Sequence, residues 1–246
     1  MSAEGSAAVE RLLLKLGAHD LVPEEEAAAL AAAVRGMRDL PAGATLVAEG
    51  AAPDASTLLV EGLVARYKAL PEGPRQILQI HVPGDLVDLH GFLLKQIDHD
   101  VGALTAVRVA LVPHAGIRNL TETRPHLARL LWLSTLLDAA IQREKILSVG
   151  RRNAQARVAH LLCELYVRLR IVGLASDHRY RLPLTQSDLG EAAGLTGVHV
   201  NRMLRKLRNE GLLTFRSGEV VVHDWEGLKR LAGFDPGYLY LERRPR

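Results

Sequence analysis

The segment 184–213 constrains the fold of this chain more than any other, because it predicts two short helices joined by a tight turn. Thr185 can cap the first helix, with Asp188 three residues later as an imperfect capping box. Gly194 is expected to end that helix, since the stop needs a left-handed residue and glycine adopts this conformation at little cost. Gly190 stands four residues earlier, where the two crossing helices of a helix-turn-helix need a small residue.

A second helix is predicted after Thr196, with one apolar and one polar face. The apolar residues recur at the i, i+3, i+4 and i+7 spacing of a helix, and they are Val200, Met203, Leu204 and Leu207. The opposite face carries Val198, Asn201, Arg202, Arg205 and Arg208. An amide and several guanidinium groups on one exposed face suit the base edges and phosphates of DNA. A helical hairpin with a solvated basic face is the simpler alternative.

A β-hairpin is predicted directly after the second helix. Residues 211–215 lead into a turn at 216–219, and the apolar strand 220–222 follows. A helix-turn-helix followed by a hairpin is a winged helix, in which Arg216 and Ser217 could touch the sugar-phosphate backbone. Asn153 and Asp224 are predicted to cap the helices that flank this region.

The charge of the chain is unevenly distributed. Residues 151–246 contain 17 Lys and Arg against 10 Asp and Glu, a net charge of +7, whereas residues 1–150 contain 14 against 18, a net charge of −4. The basic part is the one that contains the predicted helix-turn-helix. This asymmetry is expected where a nucleic-acid-binding domain is joined to a domain that does not bind nucleic acid.

Length and composition set further bounds. A chain of 246 residues forms one large or two modest domains. No run of 18 apolar residues is present, so no membrane span is expected. The first residues lack the basic start and apolar core of a signal peptide. Cys163 is the only cysteine, which excludes a disulfide within the chain and favours a cytoplasmic localisation.

Residues 37–113 alternate short apolar runs with turn signals, which predicts an all-β sandwich or barrel. The predicted strands are 45–48, 57–60, 63–70, 76–81, 103–107 and 109–112. Residues 126–148 then predict a long helix without internal Gly or Pro. Leu130, Leu133, Leu137 and Ala140 have a coiled-coil spacing and are the predicted dimer seam, while a second stripe of Leu127, Leu131 and Leu136 would pack on the chain's own barrel. A single buried helix is the alternative.

The sequence LTQSDLGEAAGLTGVHVNRMLRKLRNEGLL at 184–213 resembles the DNA-binding motif of the Crp–Fnr transcription regulators, and the likeness extends over roughly residues 20–225. The resemblance implies an α+β fold: a jelly-roll, cyclic-nucleotide-binding-like sensor domain at 1–125, a dimerisation helix and hinge at 126–150, and a winged helix-turn-helix at 151–246. It also implies that the helix-turn-helix spans 186–205 and that residues 196–207 enter the major groove.

The resemblance further implies specific roles. Arg202 falls where the family keeps a base-reading arginine, but Val198 stands where a glutamate is frequent, a departure that bears on the half-site sequence. The expected DNA-binding residues are Thr196, Val198, His199, Asn201, Arg202, Arg205, Lys206, Arg216 and Ser217. The chain is expected to act as a homodimer on palindromic promoter sites and to contact RNA polymerase. Residues 173–182, which are predicted to form a polar surface loop, are a candidate surface for that contact. The alternative is a jelly-roll metal-dependent enzyme fused to a DNA-binding domain.

Cyclic AMP is not the expected effector. Nucleotide-binding members of the family grip ribose with a Gly-Glu-Leu turn and phosphate with an Arg-Ser or Arg-Thr pair. Here the turn region begins Gly84-Asp85-Leu86, with a leucine or an aspartate where glutamate is expected. Residues 96–101 contain no arginine but two aspartates that would repel a phosphate. Asp88, His90 and His99 are the predicted lining of an effector pocket.

No cofactor is expected. An iron–sulfur cluster needs about four cysteine thiolates, and the chain has one. Several histidines and aspartates fall in the predicted sensor domain, but they form no His-x-His pair and no tight ligand spacing, so no metal site is predicted. Cys163 lies between Leu162 and Leu165 on a helix, which favours a small core residue over a redox switch.

Overall fold

A computed structural model describes residues 3–71 and 73–246, with side chains from residue 5 onward. The chain divides into two compact units. The first comprises Met1–Tyr67, Ile80–Ala139 and Tyr240–Arg246, and the second comprises Lys68–Gln79 and Ala140–Leu239. One of the boundaries between the units falls inside a long helix, Pro125–Arg151. None of the helices in the described ranges is long and apolar enough to cross a membrane.

The first part of the chain is a β-sandwich flanked by helices. The helices are α1 (Ala3–Gly17), α2 (Glu24–Ala33), α3 (Gly91–Leu94), α4 (His114–Thr123) and α5 (Pro125–Arg151). The strands are β1 (Met37–Leu40), β2 (Thr45–Val47), β3 (Ala55–Glu61), β4 (Val64–Ala69), β5 (Arg75–His81), β6 (Asp100–Ala103) and β7 (Val107–Pro113). They form two sheets, with strand orders β1-β7-β3 and β2-β6-β4-β5.

Two apolar clusters stabilise this arrangement, as the predicted sandwich requires. One cluster draws Leu59 and Val109 from the first sheet and Val64 and Val101 from the second, so the two sheets enclose it. The other cluster packs the opposite face of the first sheet against the flanking helices, through Leu58, Val60, Ala110, Val112, Leu12, Leu30, Ile117, Leu127 and Leu130. Neighbouring residues of β3 point into different clusters, which is the period-two alternation of a strand buried on both faces.

The predicted strand 103–107 is wrong. Strand β6 ends at Ala103, and residues 104–106 form a turn before β7 begins. This turn is held against the turn between β3 and β4, because Thr105 Oγ1 accepts a hydrogen bond from the Leu63 backbone N–H at 2.9 Å. Gly62 lies so close that a Cβ placed on it would be 2.3 Å from the Ala106 carbonyl oxygen. These contacts join residues that are far apart in the sequence, where the local apolar pattern gives no warning.

The second unit contains the predicted winged helix. Its helices are α6 (Ala154–Ile171), α7 (Gln186–Ala193), α8 (Gly197–Asn209) and α9 (Trp225–Ala232), followed by a 3-10 helix, Pro236–Leu239. Asn153 and Asp224 cap α6 and α9 as predicted. The strands β8 (Ala175–Ser176), β9 (Arg179–Arg181), β10 (Leu213–Arg216) and β11 (Glu219–Val222) form one sheet of order β10-β11-β9-β8.

Residues 173–182, expected to be a polar loop, contain a short β-hairpin. Asp177 and His178 have positive φ angles of 47° and 58° and form its turn between β8 and β9. Tyr180 anchors the hairpin because its buried hydroxyl donates a hydrogen bond to the Leu162 carbonyl at 2.8 Å. Strand β9 pairs with β11, so this segment extends the wing into a four-stranded sheet.

The predicted dimer seam on α5 requires correction. Leu130, Leu137 and Ala140 are buried within the single chain, and Leu133 packs against the helix-lined core cluster. A coiled-coil spacing identifies an apolar stripe but not the surface against which it packs. Here other residues of the same chain cover the stripe. The large apolar side chains that α5 leaves exposed are Trp132, Leu136, Ile146 and Leu147.

Candidate nucleic-acid interface

The first helix of the helix-turn-helix, α7, begins and ends as its sequence predicts. The Thr185 hydroxyl accepts a hydrogen bond from the Asp188 N–H at 3.1 Å, and Asp188 accepts one from the Thr185 N–H at 2.9 Å. The capping box is therefore complete. Gly194 ends the helix with φ 63°, in the left-handed region. A Cβ on Gly190 would lie 2.6 Å from the Leu195 carbonyl oxygen, which explains why a residue without a side chain is needed there.

Several polar side chains of the second unit hold α7 in place. The Arg75 guanidinium pairs with Glu191 at 2.5 Å and with Asp188 at 3.3 Å. At the other end of the helix, Lys145 donates a hydrogen bond to the Ala192 carbonyl oxygen. Burial lowers the pKa of Lys145 to about 8. No local sequence pattern indicates these contacts, because their partners are distant in the chain.

The second helix, α8, presents one buried and one exposed face. Thr196 caps it by accepting a hydrogen bond from the His199 N–H at 3.3 Å. Val200 and Leu207 are fully buried, as the helical spacing predicts, and α8 packs against α6 and α7. On the other face Val198 is 83% exposed, and Arg202 is exposed one turn later. An apolar side chain and a guanidinium group therefore project together from the N-terminal half of the helix.

A row of side chains links α7 to the exposed face of α8. The Asn201 amide nitrogen donates a hydrogen bond to Gln186 Oε1 at 3.1 Å, and the Arg205 guanidinium donates one to Asn201 Oδ1 at 3.2 Å. Gln186 was not among the predicted contact residues, although its position at the start of α7 was a usable signal. The row orients Asn201, whose amide is half-buried between the two partners.

The wing supplies a second basic element beside α8. Its two-residue turn consists of Ser217 and Gly218, which have φ angles of 50° and 72°, and the flanking residues Arg216 and Glu219 pair across it. Arg216 and Ser217 are both exposed. The turn packs closely against the segment before α7, because a Cβ on Gly218 would come within 3.1 Å of the Pro183 Cα atom.

A groove of about 440 Å³ lies between α8 and the wing. Its lining residues are Leu184, Thr185, Gln186, Asn201, Leu204, Arg205, Arg208, Phe215, Arg216, Ser217 and Gly218. The structure thus brings together four of the predicted DNA-binding residues, Asn201, Arg205, Arg216 and Ser217. The others, Thr196, Val198, His199, Arg202 and Lys206, are exposed on α8 or at its cap, outside the groove lining. We call the exposed face of α8 together with the wing turn the reading surface.

In the sensor domain, the predicted pocket residue Asp88 makes hydrogen bonds within the domain instead of lining an open pocket. Its carboxylate is fully buried and accepts hydrogen bonds from the Thr57 N–H at 2.6 Å and from the Thr57 hydroxyl at 2.9 Å. Burial raises the pKa of Asp88 to about 6, against the opposite effect of those hydrogen bonds. His90 and His99, the other two predicted residues, come together with ring centroids 5.1 Å apart.

The sensor domain also contains a buried arginine that no sequence motif singles out. Arg66 on β4 donates a hydrogen bond to the Val87 carbonyl at 2.7 Å and pairs with Asp138 of α5 at 2.8 Å. Asp85, in the turn region where a glutamate was expected, is likewise paired inside the domain, with His81 at 2.9 Å and with Lys15 at 2.7 Å. These charges are satisfied by protein groups of the same unit.

Cys163 is fully buried, as its helical position predicted. Burial raises the pKa of its thiol to about 12. The thiolate, which is the reactive form, is therefore scarce at neutral pH.

Two family models match the chain. Residues 156–231 match the Crp-like helix-turn-helix domain, and residues 37–124 match the cyclic nucleotide-binding domain. The nitrogen fixation regulation protein FixK of Bradyrhizobium diazoefficiens is 30% identical over 174 residues, which are 71% of this chain and 72% of FixK. The transcriptional activator protein FnrA of Stutzerimonas stutzeri is 26% identical over 196 residues, which are 80% of each chain.

Solved structures show the same architecture. FixK2 from Bradyrhizobium japonicum aligns with a TM-score of 0.72 and 27% identity, over 80% of this chain and 96% of FixK2. A CRP/FNR-family transcriptional regulator from Thermus thermophilus aligns with a TM-score of 0.62, over 81% of this chain and 99% of that one. At 22% identity, the second likeness concerns the fold alone.

Proposed function

The chain belongs to the Crp–Fnr family and is a sequence-specific DNA-binding transcription regulator, and from this premise we propose that it reads DNA as a homodimer through α8 and the wing. The observation that carries the proposal is the reading surface, on which an exposed helix N-terminus, several cations and a tight wing turn lie side by side. In a helix-turn-helix the N-terminal residues of the second helix contact base edges in the major groove.

Base reading is assigned to Arg202 and Asn201. Arg202 lies in the exposed N-terminal half of α8, and a guanidinium can make two parallel hydrogen bonds to guanine. Asn201 is oriented by Gln186 and Arg205, and an oriented amide suits adenine. Val198 projects ahead of both and offers methyl groups that can contact thymine. A valine cannot accept a hydrogen bond from cytosine as a glutamate does, so the half-site should differ from those of family members with glutamate there.

Phosphate binding is assigned to Arg205, Lys206 and Arg216. Arg205 and Arg216 line the groove between α8 and the wing, at the level where a nucleic-acid backbone would run beside the recognition helix. Lys206 is exposed one residue further along. Thr196, His199 and Ser217 are placed at the helix cap and the wing turn, where short polar side chains contact phosphate or sugar oxygens.

The homodimer is proposed to form through the exposed face of α5 rather than through the buried stripe. Trp132 is 66% exposed and Leu136 lies one turn later on the same helix face. Two copies related by a two-fold axis would bury these residues against each other and present two reading surfaces to a palindrome. Half-sites of such dimers are spaced by about 34–36 Å, one turn of DNA.

The signal to which the regulator responds is proposed not to be cyclic AMP. A buried cyclic phosphate needs a cation or a cluster of N–H donors. The buried arginine of the sensor domain, Arg66, is already paired with Asp138, and Asp85 is already paired with His81 and Lys15. An iron–sulfur cluster is not proposed either, because Cys163 is the only cysteine. We assign no enzymatic activity, and we place the protein with its DNA in the cytoplasm, where the β8–β9 hairpin is available to RNA polymerase.

The test of DNA reading is selection of bound duplexes from a random pool by the full chain. The expected result is one enriched palindrome, whose half-sites contain a guanine that becomes dispensable in the Arg202→Ala variant. Recovery of no preferred sequence, or of an asymmetric one, would contradict the proposal.

The dimer has a separate test in two neighbouring variants. Leu136→Glu places a charge on the exposed face, so the chain should stay folded but become monomeric in light scattering. Leu137→Glu buries a charge in the chain's own core, so it should lower the free energy of unfolding instead. A wild-type monomer at micromolar concentration, with and without DNA, would contradict the homodimer.

A further inference from the structure

We propose that His90, Asp98 and His99 form a binding site for one divalent transition-metal ion of the Zn²⁺ class. One potential ligand atom from each of the three side chains lies within 4.8 Å of the other two. The site lies in the β-sandwich domain and involves no residue of the reading surface. The proposed metal site is therefore separate from the residues that are proposed to bind DNA.

The three residues come from two segments that are held firmly together. His90 directly precedes α3, whereas Asp98 and His99 directly precede β6. Ile97, the residue directly before Asp98, is fully buried, and its backbone N–H and carbonyl both make hydrogen bonds. Its N–H donates to the Ala51 carbonyl at 2.9 Å, and its carbonyl accepts from the Gly50 N–H at 2.7 Å. The backbone directly before Asp98 and His99 is thus fixed by hydrogen bonds to residues 50 and 51.

Close packing fixes the other segment against the first. A Cβ on Gly91 would lie 2.7 Å from Ile97 Cδ1, so α3 rests directly on the Ile97 side chain. As a result the His90 and His99 rings face each other with centroids 5.1 Å apart and planes inclined by 34°. Prior positioning of this kind lowers the entropy that would be lost when an ion binds.

The donor set matches a borderline metal ion. Two imidazole nitrogens and one carboxylate oxygen are ligands that Zn²⁺ and its neighbours in the first transition row accept. The distance between His99 Nδ1 and Asp98 Oδ1 is 2.8 Å. That contact is a hydrogen bond with a proton between the two atoms, so an ion bound by both would replace the proton and separate them to the roughly 3.4 Å expected around a tetrahedral ion. The Asp98 side chain is 78% exposed, so it has room to turn toward an ion.

The chemistry of His90 points in the same direction. Its Nε2 atom is buried and has no hydrogen-bond partner among the residues that the structure describes. A buried polar atom without a partner lowers stability, and coordination would satisfy it.

The positive charge of Arg66 would oppose a second cation, but that charge is compensated. Asp138 pairs with Arg66 at 2.8 Å, and the cluster itself includes the carboxylate of Asp98. Three protein ligands leave a fourth position open on a tetrahedral ion. The site is therefore of the open kind, in which water or a small anion completes the coordination.

The test is a titration of the full chain with Co²⁺, followed by visible absorption, and competition with Zn²⁺, after treatment with a chelator. The wild type should bind one Co²⁺ per chain and release it to Zn²⁺. Substitutions His90→Ala and His99→Ala should each weaken binding by at least about 10-fold, as losses in the ligand environment do. Because these two residues are largely buried, Asp98→Asn is the more informative change, since an exposed position tolerates it without unfolding.

The matched control is His114→Ala, a histidine of the same domain that lies outside the cluster and has its own partner, Ser56, at 3.4 Å. It should bind Co²⁺ as the wild type does, with the same stoichiometry. The proposal is overturned if the wild type shows no saturable binding, or if Asp98→Asn and His90→Ala bind as tightly as His114→Ala. In the second case the ion is held by other histidines of the chain.

Discussion

Charged side chains are used in opposite ways on the reading surface and in the sensor domain. On the reading surface, Arg202, Arg205 and Arg216 are exposed to solvent. In the sensor domain, Arg66 and Asp85 are buried, and each is paired with a group of opposite charge in the same unit, Asp138 and Lys15 respectively. An exposed cation stays hydrated until a partner arrives, whereas a buried one must be compensated as the chain folds.

The difference shows what net charge can and cannot predict. The excess of cations in residues 151–246 identified the basic region, because most of its charges on α8 and the wing are indeed exposed. The near balance of residues 1–150 concealed several buried ion pairs, which add nothing to the net charge. A ligand of the reading surface meets cations that are exposed to solvent, but a ligand of Arg66 would have to displace Asp138. The comparison predicts that changes in the two regions affect different measurements.

The largest effect is expected when a buried pair is broken. Arg66→Ala leaves the Asp138 carboxylate without its partner, and Asp138 is only 18% exposed. Removing one member of a buried pair costs about 3–5 kcal/mol of unfolding free energy. Urea denaturation should show this loss, while the fraction that remains folded should keep the specific-to-random ratio of DNA affinities.

An exposed pair of the same domain is the matched control. Arg108 pairs with Asp39 at 2.8 Å, and both side chains are largely in solvent. Water and salt screen such a pair, so Arg108→Ala should leave the unfolding free energy nearly unchanged. Equal losses for Arg66→Ala and Arg108→Ala would show that burial does not distinguish the two kinds of charge.

The converse effect belongs to Arg202. Arg202→Ala should cost about 1–3 kcal/mol of binding free energy per half-site on the preferred sequence and little on random DNA. Unfolding free energy should change by less than about 0.5 kcal/mol, because the side chain is exposed. Arg202→Lys keeps the charge but not the paired hydrogen bonds, so it should retain most of the loss. Competition binding measures the ratio, and an unchanged ratio in both variants would remove Arg202 from base reading.

The helix-turn-helix could be predicted almost residue by residue because its determinants are local. Thr185 and Asp188 are three residues apart, and Gly194 needs only its own backbone conformation to end the helix. Such signals survive in a single sequence without any knowledge of the rest of the fold. The hydrophobic face of α8 is equally local, because Val200 and Leu207 lie two turns apart on one helix.

The sensor domain was predictable as a class but not in its contacts. Arg66 and Asp138 are 72 residues apart, and no pattern around either residue announces the other. The same holds for His90 and His99, which are joined by the packing of Gly91 on Ile97 rather than by a ligand spacing. On α5 the sequence showed two apolar stripes, but only the folded sandwich decides which of them is covered.

A smaller effect is expected from Arg205, the cation assigned to phosphate. Arg205→Ala should weaken specific and random DNA similarly and should lower the slope of log affinity against log salt by about 0.9 per phosphate, hence about two units for a dimer. Asn201 keeps its hydrogen bond to Gln186, so base reading should persist. Lys229→Ala is the control, since Lys229 lies on α9 beside Glu226 and away from the reading surface. A collapsed affinity ratio with an unchanged slope would mean that Arg205 reads bases.

The smallest effect is expected at His126. Its side chain is paired but partly exposed, so it lies between the buried pairs of the sensor domain and the exposed cations of the reading surface. Its ring contacts Glu26 at 2.6 Å and Asp20 at 3.2 Å while remaining partly exposed. The hydrogen bond to Glu26, opposed by partial burial and aided by Asp20, raises the pKa of His126 above its ordinary 6.5. The folded chain thus holds the proton more tightly than the unfolded chain. This stabilisation is fully present below pH 6.5 and is lost as the pH rises through the higher folded-state pKa.

Solvent screening of the partly exposed ring should limit that contribution to less than about 1 kcal/mol. Imidazole NMR should show His126 titrating above its ordinary pKa in the wild type and closer to it in the Glu26→Gln variant, which keeps a hydrogen-bonding group but removes the charge. Replacing His126 by Gln should remove the difference in stability between acid and neutral pH that this residue causes. If the pKa of His126 is the same with and without the Glu26 charge, the hydrogen bond itself holds the proton. Pairing of charges would then matter only where burial is complete, as at Arg66.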